Sequence, residues 1–324
     1  MSAGGIWAVC EIRQGELTRA SLQLMGAAAK LADEKGCGAA AVLTGGSQDH
    51  AAQAAGFVPL VYSVEGAGLE TYEAGAHLHA LSKLIEDKGA PLVIMAGASA
   101  AGLEMMPALA ARLGTGYASG CMNAQWNGDE LVVSRSVYGG RAYEEIVFTH
   151  QPAVFTVRPG AFAVPETSGG PGSVEKISVE LPENTGPKVV GHKSTTSGRK
   201  DVSEAAVVVS GGRGMESPDN FGMLEELADV LGGAVGVSRA VVDADWRPHS
   251  EQVGKSGKTV SPELYFAFGI SGAIHHVLGM NTSKTVVAVN RDPDAIIFEN
   301  ADIGLVGNCL DVIPALTEIL KSRS

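Results

Sequence analysis

Three junctions in the C-terminal part of the chain combine glycines with polar side chains directly after a predicted strand. They are Gly211-Gly212-Arg213-Gly214, Ser238-Arg239 and Gly269-Ile270-Ser271-Gly272. Ligands of open α/β sheets bind outside the carboxyl ends of the strands, so these junctions are candidate binding loops. Glycines let the backbone approach a ligand closely, and the N–H groups at the start of the helix expected after the third junction suit a phosphate. Taken alone, that junction is also typical of an ordinary tight turn before a helix.

Arg239, His275 and His276 are the side chains best suited to charge or proton chemistry. An arginine that leaves a strand into a glycine-rich crevice needs an anionic or planar partner, which is a bound ligand or, alternatively, a surface carboxylate such as Asp243 or Asp245. Adjacent histidines on a helix point about 100° apart, so they are poorly placed to share a metal ion, and we predict no metal site. A hydrogen bond from one histidine to a bound cofactor remains open.

Residues 252–259, QVGKSGKT, imitate the end of a nucleotide-binding P-loop. The pattern GxxxxGK[ST] requires glycine at the position of Gln252, and no apolar strand directly precedes the segment. We therefore reject a nucleoside-triphosphatase function. The sequence shows no Ser-His-Asp order, nucleophile elbow or HExxH helix, so hydrolytic chemistry is not indicated either.

The elements that position these junctions are predicted from apolar periodicity. Strands are expected at 6–12, 39–43, 58–61, 91–95, 131–137, 145–148, 153–157, 176–181, 206–210, 234–238, 263–268, 285–290 and 303–306, and helices at 17–35, 72–87, 103–113, 221–231, 273–278 and 310–320. Short apolar strands that alternate with amphipathic helices indicate parallel sheets. We predict an α/β protein with an N-terminal parallel-sheet domain (1–188), a linker (189–203) and a C-terminal doubly wound domain (204–324). The stretch 165–200, rich in Gly, Pro, Ser, Thr and Lys, is interpreted as connector outside its single strand.

Composition and charge exclude several classes of protein. The formal net charge is −12 and no basic stripe is visible, which argues against binding to nucleic acid or to anionic membranes. The N-terminus has no leader-like pattern and no apolar run approaches the ~20 residues of a membrane span, so we predict a cytoplasmic protein without membrane insertion. Four dispersed cysteines without a CxxC pair argue against zinc and iron–sulfur sites.

Together these segments resemble the α subunit of electron-transfer flavoproteins (the FixB family). The resemblance is carried by VSGGRGM (209–215), GVSRA (236–240), QVGKSGK (252–258), LY (264–265), GISGAIHH (269–276), NRDP (290–293) and AD (301–302). It continues more loosely through residues 97–113 and TVRPGAF (156–162). The order and spacing of the C-terminal blocks agree with the family.

The resemblance implies one FAD in the C-terminal domain, with Arg239 over the isoalloxazine ring, Ser256 beside flavin N5 and His276 facing the C2 carbonyl. The full set of cofactor-binding residues that it implies is Arg213, Gly214, Ser238, Arg239, Gln252, Val253, Gly254, Ser256, Gly257, Thr259, Gly269, Ile270, Ser271, Gly272, Ala273, His275, His276, Asn290, Asp292, Asp302 and Asn308. Three residues depart from the family's usual types: Ser256 replaces threonine, His275 replaces glutamine and Asn308 replaces aspartate. Since all three still offer hydrogen bonds, FAD binding is expected to persist. A protonated or donating His276, with Arg239, would favour the negative charge of a reduced flavin.

The family implies an electron carrier with no substrate-transforming site of its own. Its partners would be a β subunit that carries AMP or a second FAD, acyl-CoA or other dehydrogenases as donors, and an electron-transfer-flavoprotein–quinone oxidoreductase or a similar acceptor. An NADH-linked, electron-bifurcating complex, a self-contained flavin oxidoreductase and a nucleotide-binding regulatory module are the alternatives.

Overall fold

The computed structural model describes residues 5–138, 142–165, 172–191 and 200–322. The chain divides into two compact units, Met1–His192 and Lys193–Ser324. Each unit is built on a parallel sheet with helices on its faces, which confirms the predicted α/β fold class. Part of the predicted linker, residues 192–199, lies outside the described residues.

The N-terminal unit contains a seven-stranded parallel sheet in the order β12-β5-β4-β1-β6-β11-β7 and a three-stranded antiparallel sheet in the order β10-β9-β8. Its elements are β1 (Ile6–Cys10), β2 (Ile12–Arg13), β3 (Glu16–Leu17), α1 (Arg19–Lys35), β4 (Ala39–Thr44), α2 (Gln48–Ala54), β5 (Leu60–Glu65), α3 (Ala74–Lys88), β6 (Val93–Gly97), α4 (Ala100–Leu113), β7 (Tyr117–Cys121), β8 (Asn123–Asn127), β9 (Glu130–Val137), β10 (Ala142–Val147), β11 (Ala153–Val157) and β12 (Ser173–Ser178).

The central strand β1 shows how this unit is held together. Its five residues are all buried, and successive side chains point to opposite faces of the sheet. Ala8 belongs to an apolar cluster with helix α1, whereas Val9 belongs to a second cluster with helices α3 and α4. Two helical layers therefore cover the sheet, as a parallel sheet requires.

Several predictions for the N-terminal unit need correction. The run predicted at 176–181, inside the presumed connector, is β12, and it forms the edge of the main sheet by pairing with β5. The predicted strand 6–12 ends at Cys10. The short helix α2 and the strands β7 and β8, which contain small or polar residues such as Gly120 and Asn123, are not predicted at all.

The C-terminal unit is a five-stranded parallel sheet in the order β14-β13-β15-β16-β17. Its elements are β13 (Val207–Gly211), α5 (Phe221–Val230), β14 (Ala234–Val237), α6 (Arg239–Val242), β15 (Leu264–Phe268), α7 (Ile274–Val277), β16 (Thr285–Asn290), β17 (Ile303–Val306) and α8 (Cys309–Lys321). Tyr265 and Ala267 of β15 face one apolar cluster, whereas Phe266 and Phe268 face the other, which contains residues of α5 and α8. The sheet is thus doubly wound.

The edge strand β17 is exposed along its whole length. Its partner is β16 on one side, and all four residues, Ile303, Gly304, Leu305 and Val306, are accessible to solvent. The side chain of Ile296, just before this strand, is also exposed. The sheet therefore presents an apolar edge.

Two features are absent from the described ranges. No helix there is both long and apolar enough to cross a membrane. No group of three or more His, Cys, Asp and Glu side chains in the same ranges is arranged to hold a metal ion.

Candidate functional site

The carboxyl ends of the C-terminal strands bring most of the predicted site residues to one edge of the sheet. Strand β13, the first of the unit, lies between β14 and β15, so the chain leaves it in one direction and returns on its other side. Such a switch point opens a crevice in which ligands of open α/β sheets bind. At this edge lie Arg213 and Gly214 after β13, Ser238 and Arg239 after β14, Gly269, Ile270, Ser271, Gly272 and Ala273 after β15, His275 and His276 in α7, Asn290 at the end of β16, Asp292 beyond it, and Asn308 after β17.

The loop after β13 packs directly against the loop after β15 at this switch point. The backbone N–H of Gly212 donates to the carbonyl of Phe268 at 2.9 Å, and that of Gly214 donates to the carbonyl of Gly269 at 3.0 Å. A Cβ atom on Gly212 would lie 2.2 Å from the Gly269 oxygen. Gly269 itself has a φ of +61°, which favours glycine. The close contact between the two loops is therefore one reason for glycine at these positions. The approach of a ligand, expected from the sequence, is a separate reason.

A further loop, residues 252–259, precedes β15 and is hydrogen-bonded both to the end of β14 and to α7. It contains the predicted residues Gln252, Val253, Gly254, Ser256, Gly257 and Thr259. Val253 N–H donates to the Val237 carbonyl at 2.9 Å, which continues the edge of β14, and Lys255 N–H donates to the His275 carbonyl at 2.7 Å. Ser256 is exposed, and its Oγ accepts from Nε2 of Gln252 at 3.0 Å. The loop therefore presents a hydroxyl whose position is fixed by a buried amide.

His276 is a buried, neutral histidine with one ring nitrogen unused. Its Nε2 lies 2.9 Å from the Tyr265 hydroxyl, and Nδ1 is buried without a hydrogen-bond partner. Burial lowers the pKa of His276 to about 4, and the nearby backbone of Val253 offsets part of this shift. The protonated His276 considered from the sequence is therefore excluded near pH 7 in this structure, and its role is restricted to that of a neutral donor or acceptor. A buried polar atom without a partner is rare in proteins, and a contact to a bound ligand is one explanation for it.

Arg239 opens α6 and is 65 % exposed at its side chain, with its Nε 3.3 Å from Oδ2 of Asp243. This surface ion pair is the alternative to a ligand contact that was predicted for Arg239. Because both side chains are exposed, the pair contributes only about 0–1 kcal/mol and is easily broken by a competing anion. Arg239 therefore lies at the crevice, and its present ion pair with Asp243 is weak enough to be replaced by a contact to an anionic ligand.

Three predicted residues hydrogen-bond to the backbone, two of them at the crevice. Asn290 donates from Nδ2 to the carbonyl of Ile270 at 2.9 Å, which ties the end of β16 to the loop after β15. Asn308 caps α8, since its Oδ1 accepts from Leu310 N–H at 3.2 Å. Asp302 lies elsewhere, at the amino end of β17, where its carboxylate accepts from Val286 N–H at 2.7 Å. The structure does not bring Asp302 together with the other residues.

The helix expected over 273–278 is only a single turn, α7 (Ile274–Val277). A turn of four residues has little cumulative dipole, so the helix-end attraction for phosphate considered from the sequence is small here. His275 is exposed on this turn, whereas His276 is buried.

Comparison with known families and proteins identifies the class of chain to which this site belongs. The model of the electron transfer flavoprotein domain matches residues 6–182, and the model of the electron transfer flavoprotein FAD-binding domain matches residues 201–281. The chain belongs to the electron-transfer flavoprotein α-subunit family. The family resemblance inferred from the sequence is thereby confirmed, and the second match assigns residues 201–281 to the family's FAD-binding domain.

Individual relatives cover most of the chain. It is 39% identical over 98% of its length to electron transfer flavoprotein subunit alpha of Thermoanaerobacterium thermosaccharolyticum, of which 97% is covered. It is 38% identical over 96% of its length to protein FixB of Clostridium saccharobutylicum, with 95% covered, and 42% identical over 81% to the subunit alpha of Bacillus subtilis, with 80% covered. The family is associated with electron transfer.

One residue of the site has no predicted role from the sequence. Tyr265 is fully buried on the central strand β15, and among the described residues its hydroxyl is hydrogen-bonded to His276. The signal that was open to sequence reasoning is a tyrosine in a strand whose neighbours Phe266, Ala267 and Phe268 are all apolar. A buried hydroxyl needs a partner, and that partner lies eleven residues further along the chain.

Proposed function

We propose that the chain is the FAD-carrying α subunit of a heterodimeric electron-transfer flavoprotein. The observation that carries the proposal is the unpartnered, buried Nδ1 of His276 beside a crevice formed by glycine loops at the carboxyl edge of the sheet. The residues present fit a flavin, because a ring with carbonyl and amide edges supplies the hydrogen-bond partner that this nitrogen lacks.

Each proposed contact uses a group that the structure leaves accessible or poised. Arg239 would lie against the ring, Ser256 would offer its hydroxyl, and exposed Ser271 with the glycine loops would face the phosphates. A bound flavin supplies reversible electron storage and gains negative charge when it is reduced. The protein supplies fixed dipoles and the Arg239 charge, which stabilise that negative charge.

The proposal extends to partners and to the division of labour between the units. A β subunit would complete the complex, with acyl-CoA or other dehydrogenases as electron donors and a quinone oxidoreductase or a similar protein as acceptor, in the cytoplasm. The unit before residue 189 would serve as scaffold and docking surface, and residues 204–324 would hold the FAD. "Subunit alpha" in the names of relatives supports a heterodimer.

The direct test is co-expression of the chain with a β subunit of this family, followed by a flavin spectrum and count. We expect a yellow complex that releases FAD on denaturation, with one FAD assigned to this chain. A colourless complex, or a fragment without residues 205–324 that keeps the same FAD, contradicts the proposal. Reduction by NADH and small substrates without a partner dehydrogenase would instead favour a self-contained oxidoreductase.

Replacing Arg239 with alanine is expected to lower the first one-electron potential of the bound FAD by about 40–90 mV. Two unit charges about 4 Å apart interact by roughly 4 kcal/mol at an effective dielectric of 20. Because Arg239 is largely exposed and shares its charge with Asp243, we take about 1–2 kcal/mol of this to remain. For a one-electron couple, ~59 mV corresponds to a tenfold change in equilibrium constant. Spectroelectrochemical titration measures the shift.

Asp243→Asn is the matched control for Arg239. Removing the carboxylate leaves the guanidinium in place and frees it from its ion pair, so the potential is expected to stay the same or rise. Arg239→Lys should recover only part of the parent value, because an ammonium keeps the charge but not the planar stacking surface. Potentials that are the same in the parent and in Arg239→Ala would make Arg239 a surface ion-pair residue only.

A further inference from the structure

The pairing of Tyr265 with His276 has a consequence for which ring nitrogen carries the proton. Tyr265 is 0% exposed and His276 is 6% exposed, so water does not compete for their hydrogen bond. Burial raises the pKa of the Tyr265 hydroxyl and lowers that of His276 to about 4. At pH 7 the tyrosine is therefore protonated and the histidine is neutral. A neutral imidazole has one N–H group, on Nδ1 or on Nε2.

The direction of the hydrogen bond follows from what else each group can reach. If Nε2 carried the proton, it would donate to the phenol oxygen, and the Tyr265 O–H would then need another acceptor. Among the described residues the hydrogen bond of the Tyr265 hydroxyl goes to His276, and the Ser210 hydroxyl on the neighbouring strand β13 is buried without a partner. If Tyr265 donates to Nε2, its hydroxyl and Nε2 are both satisfied, which avoids the cost of a buried unpaired O–H.

We propose that Tyr265 is a positioning residue that fixes His276 in the tautomer with its proton on Nδ1. The nitrogen without a partner in the structure is then a donor, and it is matched to a carbonyl or anionic edge of a ring-shaped ligand. This inference rests on the proposed function for the identity of that ligand, the isoalloxazine ring of FAD. Its first part, the tautomer, concerns the chain alone.

The surroundings of Nδ1 set how a ligand reaches it. Nδ1 is closed off from solvent, and the loop 252–259 is bound to the turn that carries His276, since Lys255 N–H donates to the His275 carbonyl at 2.7 Å. A ligand acceptor therefore contacts Nδ1 only where this loop and the turn separate.

The experiment is nitrogen-15 NMR of the imidazoles of the full-length chain at pH 7, with and without FAD, in the parent and in Tyr265→Phe. His276→Gln identifies the His276 signals among those of the eight histidines. In the parent we expect the Nδ1–H tautomer of His276, and in Tyr265→Phe a shift toward the Nε2–H form. The FAD dissociation constant should rise about tenfold in Tyr265→Phe, which is the loss of one well-placed hydrogen bond.

The matched control is Tyr62→Phe, which removes the hydroxyl of a buried tyrosine in the N-terminal unit. It should leave both the His276 signals and FAD binding unchanged. An Nε2–H or doubly protonated His276 in the parent overturns the inference, as does a Tyr265→Phe variant with parental tautomer and FAD affinity. Failure of the parent to bind FAD, with the Nδ1–H tautomer present, would instead contradict the proposed function and leave the role of Tyr265 standing.

Discussion

Gly212→Ala is expected to abolish FAD binding and to destabilise the C-terminal unit by about 3 kcal/mol. The added Cβ would lie 2.2 Å from the Gly269 oxygen, closer than any two non-bonded heavy atoms of this kind can approach. Since that neighbour is backbone rather than a flexible side chain, the loops after β13 and β15 must separate. The hydrogen bonds from Gly212 and Gly214 that hold them together would then be lost.

Gly222→Ala is the matched control for this substitution. It lies on the exposed side of α5, where a Cβ would meet nothing within 4 Å. Alanine is a better helix former than glycine by about 0.5–1 kcal/mol, so this variant should be unchanged or slightly more stable. Pulse-labelling hydrogen exchange in urea, followed in peptides from β15, measures the C-terminal unit separately. Parental stability and FAD content in Gly212→Ala would show that the contact between the two loops is not required.

The second large effect concerns pH. Because of His276, the free energy of unfolding should fall by about 2 kcal/mol between pH 7 and pH 5, and by about 3 kcal/mol between pH 7 and pH 4. The unfolded chain takes up a proton on this ring below its ordinary pKa of 6.5, whereas the folded chain does so only near pH 4. The unfolded state thus binds more protons in that window. The stabilising contribution is complete above pH 6.5 and is lost as the pH falls toward 4.

The pH effect is measured as a difference between variants, because carboxylates also titrate in acid. Urea unfolding of the C-terminal unit at pH 7 and pH 5 is compared for the parent, His276→Gln and His275→Gln. The glutamine at 276 removes the titrating ring, so its loss of stability on acidification should be smaller by about 2 kcal/mol. The exposed neighbour His275 carries the same substitution and should follow the parent. Equal losses in all three proteins would mean that His276 accepts a proton as easily folded as unfolded.

The sequence was sufficient to predict the fold class because the main sheet of each unit is parallel. Strands buried on both faces appear as short, continuous apolar runs such as VVVSG in β13 and LYFAF in β15. Glycine-rich loops and helical segments separate these runs, and all five strands of the C-terminal sheet were predicted to within one or two residues. The loops that contain the site follow directly from these strand ends.

Pairing between distant segments is what the sequence left undetermined. Strand β12 has a mostly exposed pattern, and only its parallel pairing with β5 makes it part of the sheet. Strand β7, with the sequence YASGC, is held by β11 and has no strong β-forming pattern of its own. In both strands the stabilising contacts come from residues far away in the chain, where local periodicity carries no information.

The same limit applies inside the site. Residue types predicted Arg239 at the crevice with Asp243 or Asp245 as its alternative partner, but they did not decide between that ion pair and a ligand, nor did they predict that His276 is neutral. Both properties depend on burial and on neighbours brought together by the fold. The Tyr265 contact to His276 is of this kind, since it connects a strand to a separate turn.

The open edge at β17 matters for how this chain behaves when it is produced by itself. A row of unpaired backbone groups flanked by Ile303, Leu305 and Val306 is a template for strand addition, and two copies can extend each other's sheet there. The strand has only four residues, so such pairing forms few hydrogen bonds and is weak. We therefore expect self-association only at high protein concentration. Preparations for spectroscopy are therefore best kept dilute, or made in the presence of a partner chain from the moment of synthesis.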